Sequence, residues 1–264
     1  MDAVWQLLEV IAGVQRLWLF VDYDGTLADF ALTPDRVEPN TEVIDLLKCW
    51  AGLPQAQITV ISGRPLQHIQ ILIPIPGVVL AGTYGVELQL PNGEVVYRVV
   101  YDSVRPIVEH LKTRWQALIG QQPGFFIEDK GWAVALHTRG VEAAEADRVL
   151  ARARAMTTGL ALSAAYRVFD ERRFFEVAPA LAHKGRTVNY LLDRFAWPDV
   201  LPLYLGDDAK DEEAFEVIKA RHGLAVLVAA EPRPTCADAR LPAPQVARRW
   251  LAALADRCGR QAMR

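Results

Sequence analysis

The chain has 264 residues, 52% of them hydrophobic, and sets 29 Lys and Arg against 32 Asp and Glu for a net charge of −3. That apolar content is enough for one large domain, or a domain with an insertion, and the scattered charges exclude the basic footprint of a nucleic-acid binder. No apolar run reaches the length of a bilayer span, which excludes membrane work through a spanning helix.

Residues 1–14 hold Asp2 and Glu9 and lack a basic start, so they read as an amphipathic helix rather than a signal peptide. Cys49, Cys236 and Cys258 are odd in number and without metal-ligand spacing, as expected of thiols in a reducing compartment. The expectation is a soluble, cytoplasmic protein.

Leu17 to Val21 is an unbroken apolar run, the pattern of a strand buried on both faces of a parallel sheet. It ends in Asp22-Tyr23-Asp24-Gly25-Thr26, two carboxylates one residue apart where an α/β sheet binds ligands. Such acids are costly to bury unless a cation sits between them. A loop with Pro34 and Pro39 follows. Asn40 then caps a helix with Val43, Leu46, Leu47 and Trp50 on its apolar side. Gln57–Ile61 is a second strand, closed by Ser62-Gly63-Arg64-Pro65, with Pro65 suited to the first turn of a helix. Val78–Ala81 is a third, and Asn92-Gly93 marks a hairpin.

From about Ser103 the rhythm changes. A helix over 104–119, strands over 125–128 and 132–137, a helix over 141–156 and strands over 166–169 and 174–177 describe an α+β insertion. Strand and helix alternation resumes at Lys184-Gly185. A helix runs to Phe195, a strand over 201–205 ends in Gly206-Asp207-Asp208-Ala209-Lys210-Asp211, and a further strand over 225–228 precedes a closing helix over 245–257. The fold class is therefore α/β: a doubly wound parallel core from residues 1–102 and 181–264, with an α+β cap over 103–180.

Four element ends carry polar groups of the types that phosphoryl transfer needs. Carboxylates of Asp22 and Asp207, plus a backbone carbonyl, can hold Mg²⁺, and Asp24 completes the set of metal-ligand candidates. Anionic Asp22 is then a nucleophile for phosphorus, while Asp24 protonates the leaving alcohol and later deprotonates water. Ser62, Gly63 and Arg64 lie where phosphate oxygens would be cradled. Lys184, at a helix start, adds positive charge for an anion, and Asp208 and Asp211 support the ligands.

These residues resemble the four motifs of the haloacid dehalogenase-like phosphatase superfamily, in its order and at strand ends, from Asp22 to Phe215. In that superfamily the first Asp is the nucleophile, the second the acid/base, and the insertion a mobile cap. Within it, Ile61-Ser62-Gly63-Arg64, Gly82-Thr83-Tyr84-Gly85-Val86-Glu87, Glu128-Asp129-Lys130-Gly131, His137-Thr138-Arg139, Glu176-Val177-Ala178-Pro179 and Gly206-Asp207-Asp208 are similar to the trehalose-6-phosphate phosphatases. The resemblance implies that Glu128, Lys130 and Glu176 hold sugar hydroxyls, with His137 a further substrate candidate. It implies a small sugar phosphate as partner, with no nucleic acid or membrane, and a monomer is expected. Three positions depart from the family: Tyr84 stands for its His, Ala178 for its Arg and Lys210 for its Thr.

Other readings remain open. Another glycosyl phosphate, such as glucosylglycerol phosphate or sucrose 6-phosphate, fits the same chemistry; a non-catalytic regulatory partner of a synthase is a reading of a different class, against which the intact Asp22, Asp24, Lys184 and Asp207 argue. Glu128 and Lys130 also read as a solvated ion pair, His137 as a structural histidine and Asp208 as a helix N-cap. Trp5, Trp18, Trp50, Trp115 and Trp250 read as core.

Overall fold

β1 (Leu17–Asp22) is buried at every position. The reason is topological. In the computed structural model, which describes residues 3–29, 38–158 and 164–262, β1 lies between two parallel strands, β2 (Ala56–Ile61) and β10 (Leu201–Gly206). Pro34 of the expected loop falls outside the described residues.

The chain divides into two units, one of residues 1–96 and 183–264, the other Tyr97–Ala182. The first contains α1 (Ala3–Ala12), β1, α2 (Thr41–Ala51), β2, α3 (Leu66–Leu72), β3 (Val79–Gly82) and β4 (Glu87–Gln89) before β5 (Val95–Tyr97) at the boundary. It resumes with α6 (Lys184–Phe195), β10, α7 (Ala209–Ala220), β11 (Leu224–Val228), β12 (Ala239–Leu241) and α8 (Pro244–Ala262). Its eight strands run in the order β12-β11-β10-β1-β2-β3-β4-β5, parallel from β12 through β3, with β4 antiparallel to β3. This is the doubly wound α/β sheet expected from the alternation, and its order reverses at β1, the switch point where such sheets bind ligands.

Strand periodicity assigns the faces. Leu17, Leu19 and Val21 pack with apolar residues of α1, α2, α3 and α8, whereas Trp18 and Phe20 pack with Val188 and Leu191 of α6 and Phe215 of α7. By the same alternation Asp22 falls on the face that α6 covers. The cap at Asn40 forms as read: its side chain accepts from the Glu42 and Val43 amides, and Val43, Leu46, Leu47 and Trp50 are buried. Trp18, Trp50, Trp115 and Trp250 are fully buried core residues, while Trp5 is half-buried.

The second unit contains α4 (Tyr101–Ile119), β6 (Phe125–Asp129), β7 (Val134–Thr138), α5 (Ala143–Thr158), β8 (Tyr166–Glu171) and β9 (Phe174–Pro179). Its strands form an antiparallel sheet in the order β6-β7-β9-β8. Val134, Leu136, Phe175 and Val177 face α4 and α5 and build its core around Trp115. Tyr97 and Tyr101 join this unit because their rings pack on Trp132, at centroid distances of 5.6 and 4.9 Å.

Candidate active site

Asp22 ends β1, and Lys184 opens α6 on the same face of the sheet; their charged ends meet at 2.9 Å. Lys184 Nζ also lies 2.7 Å from Asp211 Oδ1 and 3.9 Å from Asp208. Burial works against the lysine's charge, but Asp211 and Asp22 outweigh it and hold the ammonium well above its ordinary range. Lys184 is therefore the fixed cation that makes this acid cluster tolerable.

Asp211 organises the loop that carries Asp207 and Asp208. Its Oδ1 accepts from Tyr204 Oη at 2.8 Å, and its Oδ2 accepts from the amides of Asp207 and Asp208 at 3.0 and 3.1 Å. Asp208 returns the favour as the N-cap of α7, accepting from the Lys210 and Asp211 amides in a reciprocal capping box. Such tight folding needs glycine at 206: a Cβ there would come within 2.2 Å of Asp211 Cγ. From the far side, Arg233 donates to the main-chain carbonyls of Asp207 and Asp208 at 3.3 and 3.0 Å and pairs with Glu212 at 2.8 Å.

Carboxylate oxygens of Asp22, Asp207 and Asp211 lie within 4.8 Å of one another. Burial pushes Asp22 well above the usual carboxylate range, and Asp207 and Asp208 push it further. Asp207 is pushed up to about 7 by burial, then by Asp211 and Asp208. Burial works against the charge of Asp208 too, yet Lys184 and Lys210 hold its carboxyl below the ordinary range. Clustered hard oxygen donors whose charges oppose one another suit a divalent cation that prefers oxygen ligands. The donor set fits such an ion.

Asp24 is engaged differently. Arg64 forks its carboxylate, with Nε to Oδ2 and Nη2 to Oδ1 both at 2.7 Å, and Arg64 Nη1 donates to His68 Nδ1 at 3.3 Å. The backbone between β2 and α3 is fixed to match. The Arg64 amide donates to Ser62 Oγ, the Arg64 carbonyl accepts from Thr83, and the Ser62 carbonyl accepts from Tyr84. Thr83 and Tyr84 hold φ of 46° and 56°, a strained conformation for such side chains. Thr187 Oγ1, donating to the Tyr84 carbonyl at 2.8 Å, and Glu87, accepting from Thr83 Oγ1 at 2.9 Å, hold it in place. The Tyr84 ring lies so close over Gly63 that a Cβ there would sit 2.7 Å from it.

In the second unit the sheet face opposite α4 and α5 carries a row of polar and aromatic groups. Register places Glu128 and Glu176 on either side of Ala135, and Phe126 and Phe174 on either side of His137. Lys130 follows two residues after Glu128 on the same face. Its Nζ lies 2.9 Å from Glu176 and 3.8 Å from Glu128, and His137 Nε2 donates to Glu128 Oε2 at 2.8 Å. His137 stacks on Phe126 with centroids 4.3 Å apart and planes 2° from parallel. The intervening Asp129 points to the helix side, where Arg105 forks it at 2.7 Å and Lys112 meets it at 2.8 Å.

The structure thus gathers Asp22, Lys184, Asp207, Asp208 and Asp211 into one cluster, and places Asp24, Ser62 and Arg64 in a second network of the same unit. Glu128, Lys130, His137 and Glu176 share one face of the second unit. Sequence reading missed Tyr204, Arg233, His68, Phe126 and Phe174. Strand alternation carries a signal for Phe126 and Phe174. Nothing in the sequence ties Arg233 to a loop some 25 residues earlier.

Residues 20–245 match the family model described as trehalose-phosphatase. A trehalose-phosphate phosphatase of Mycobacterium tuberculosis is 32% identical over 214 residues, covering 80% of this chain and 53% of the relative, so the chain spans about half the length of such mycobacterial relatives. Among solved structures, the C-terminal domain of Candida albicans trehalose-6-phosphate phosphatase superposes with a TM-score of 0.81 at 22% identity, covering 96% of this chain and 97% of that one. The C-terminal domain of a Candida albicans trehalose synthase regulatory protein superposes at 0.75 with 12% identity, covering 95% and 97%. At these identities the structural matches speak for the fold.

Proposed function

The chain belongs to the trehalose-phosphatase family, and on that premise we propose that it is a Mg²⁺-dependent phosphatase that hydrolyses trehalose 6-phosphate to trehalose and phosphate. One observation carries the reading: the buried Asp22 at the sheet's switch point, paired with Lys184 at 2.9 Å and clustered with Asp207 and Asp211. A binding module has no use for so many buried carboxylates around a single lysine at the ligand end of the sheet.

In this reading Asp22 is the nucleophile. Its carboxylate oxygen forms a bond to phosphorus as the bond from phosphorus to the sugar oxygen breaks, leaving an aspartyl-phosphate. Asp24 gives its proton to the departing alkoxide, then takes one from the water that cleaves the intermediate. Lys184 opposes the effect of burial on Asp22, favouring its ionised form for attack, and offsets charge gathering on the phosphoryl oxygens. Ser62, Gly63 and Arg64 line the phosphate end. Asp22 and Asp207, with a main-chain carbonyl beside Asp24, would hold Mg²⁺, which when bound supplies positive charge to the phosphoryl group.

The second unit serves as the cap that reads the sugar. Carboxylates of Glu128 and Glu176 accept from hydroxyls, and the Lys130 ammonium donates to them, a donor and acceptor set suited to a polyol. The same reading takes the working form to be a cytoplasmic monomer acting on a small sugar phosphate.

Phosphate release measured across phosphorylated sugars with Mg²⁺ tests the assignment. Trehalose 6-phosphate is expected to give the highest kcat/KM. Turnover of another glycosyl phosphate, with none of trehalose 6-phosphate, overturns the substrate; no turnover of any phosphate ester overturns the activity.

A further inference from the structure

The Asp24–Arg64 pair carries a further inference, which rests on the assignment of Asp24 as acid/base. We infer that Arg64 is a positioning residue for proton transfer, acting through Asp24 rather than serving chiefly to bind phosphate. Four features of the pair support this.

The contact is bidentate, Nε to Oδ2 and Nη2 to Oδ1, both at 2.7 Å. A planar fork on a planar carboxylate fixes rotation about the last Asp24 torsion, which a point charge would leave free. The guanidinium is itself anchored, with Nη1 on His68 in the first turn of α3. Its backbone is locked too: the Arg64 amide is on Ser62 Oγ at 3.1 Å, and the Arg64 carbonyl accepts from Thr83 at 2.7 Å. Arg64 is buried, at 7% exposure, and the Asp24 side chain is 25% exposed, so the guanidinium side of the pair is shielded from the solvent competition that weakens surface ion pairs.

An acid whose carboxyl plane is set in this way delivers its proton along one direction, and small misplacement of a reacting group costs about 10²-fold. Phosphate binding by Arg64 predicts something else. Loss of the guanidinium would then weaken every phosphate ester alike, whatever leaves.

The leaving group separates the two roles. Phenyl phosphate releases a basic phenoxide that needs the proton; 2,4-dinitrophenyl phosphate releases an anion that does not. Both are small aryl esters, so the comparison does not depend on which sugar the enzyme prefers. The wild-type chain with Mg²⁺ is expected to hydrolyse both. Arg64→Met is expected to lose about tenfold or more in kcat/KM, which excludes the shared hydrolysis of the aspartyl-phosphate, on phenyl phosphate beyond whatever it loses on the dinitrophenyl ester. Arg64→Lys, which keeps the charge but not the fork, is expected to show the same split, and it serves as the folded variant if Arg64→Met fails to fold. In an Asp24→Asn background the split is expected to vanish, because the group being positioned is gone.

Equal losses on the two esters, or a split that persists with Asn at 24, overturn the inference while leaving phosphatase activity intact. A wild-type chain that hydrolyses neither ester overturns the activity itself, and this inference with it.

Discussion

Lys184 in the first unit and Lys130 in the second are both buried lysines held by carboxylates, Lys184 at 2.7 and 2.9 Å and Lys130 at 2.9 Å. Their surroundings differ in charge balance. Around Lys184 stand Asp22, Asp208 and Asp211, with Asp207 beside them, and burial with mutual repulsion pushes Asp22 and Asp207 up. Around Lys130 stand Glu128 and Glu176, with His137 on Glu128 and the Phe174 ring 5.5 Å from the ammonium. The first cluster has more negative charge than its cation can satisfy, which suits a divalent ion and a reacting phosphoryl group. The second is nearly balanced and edged with aromatic faces, as a surface for hydroxyl groups should be. The difference separates chemistry from recognition.

The largest effect should come from removing the cation of the acid-rich cluster. Lys184→Met leaves Asp22 and Asp211 buried without their counter-ion, so denaturant unfolding should show a loss of about 3–5 kcal/mol, with turnover lost as well. Because the cluster as a whole calls for positive charge, Mg²⁺ should recover more stability in this variant than in the wild type. A variant as stable as the wild type would mean that Lys184 does not hold the cluster together.

The balanced cluster should respond more mildly and more selectively. Glu128→Ala, Lys130→Ala and Glu176→Ala each remove one polar partner, a cost of about 1–3 kcal/mol, or roughly tenfold or more in kcat/KM on trehalose 6-phosphate. Smaller losses are expected on p-nitrophenyl phosphate. Equal losses on both substrates would make these residues supports of the fold rather than readers of the sugar.

The smallest predicted effect concerns protons. Asp22 and Asp207 have raised values when folded and ordinary ones when unfolded, so the folded chain binds protons that the unfolded chain releases. Their contribution to stability is full below the ordinary carboxylate range and is lost as pH rises, for Asp207 through about 7. In EDTA the melting temperature should therefore carry a falling component over this range. Mg²⁺ competes with those protons, so its stabilisation should grow from about pH 5 to about pH 8, by a few degrees for a chain this size. A Mg²⁺ effect independent of pH would sever the link between the raised carboxyls and the metal.

The sequence shows these two clusters unequally, for physical reasons. β1 is visible because a strand with helices on both faces of its sheet must be apolar throughout, so its exit in Asp22 stands out. α6 is visible from Lys184 to Phe195 by its amphipathic period. The Asn40 cap and the Asn92-Gly93 turn announce themselves because local hydrogen bonding alone specifies them. Groups brought together by topology are harder to see. Tyr204 reaches Asp211 and Arg233 clasps the Asp207 loop only after β10, α7 and β11 have folded. Arg64 reads as a phosphate ligand from its place after Ser62, and the fork on Asp24, 40 residues away, emerges only in three dimensions. In the second unit, strand alternation places Glu128 and Lys130 on one face, but only the register across β6, β7 and β9 brings Glu176 and His137 to them.

The most direct test of the claim that the acid-rich cluster does the chemistry is to trap its covalent intermediate. The wild-type chain with Mg²⁺ and trehalose 6-phosphate would be quenched in acid within one turnover and the peptide carrying Asp22 analysed by mass spectrometry. The account predicts a phosphoryl group on Asp22, absent from Asp22→Asn, which should remain folded but inactive. Steady turnover without a phosphoryl group on Asp22, or with one on another residue, would contradict it.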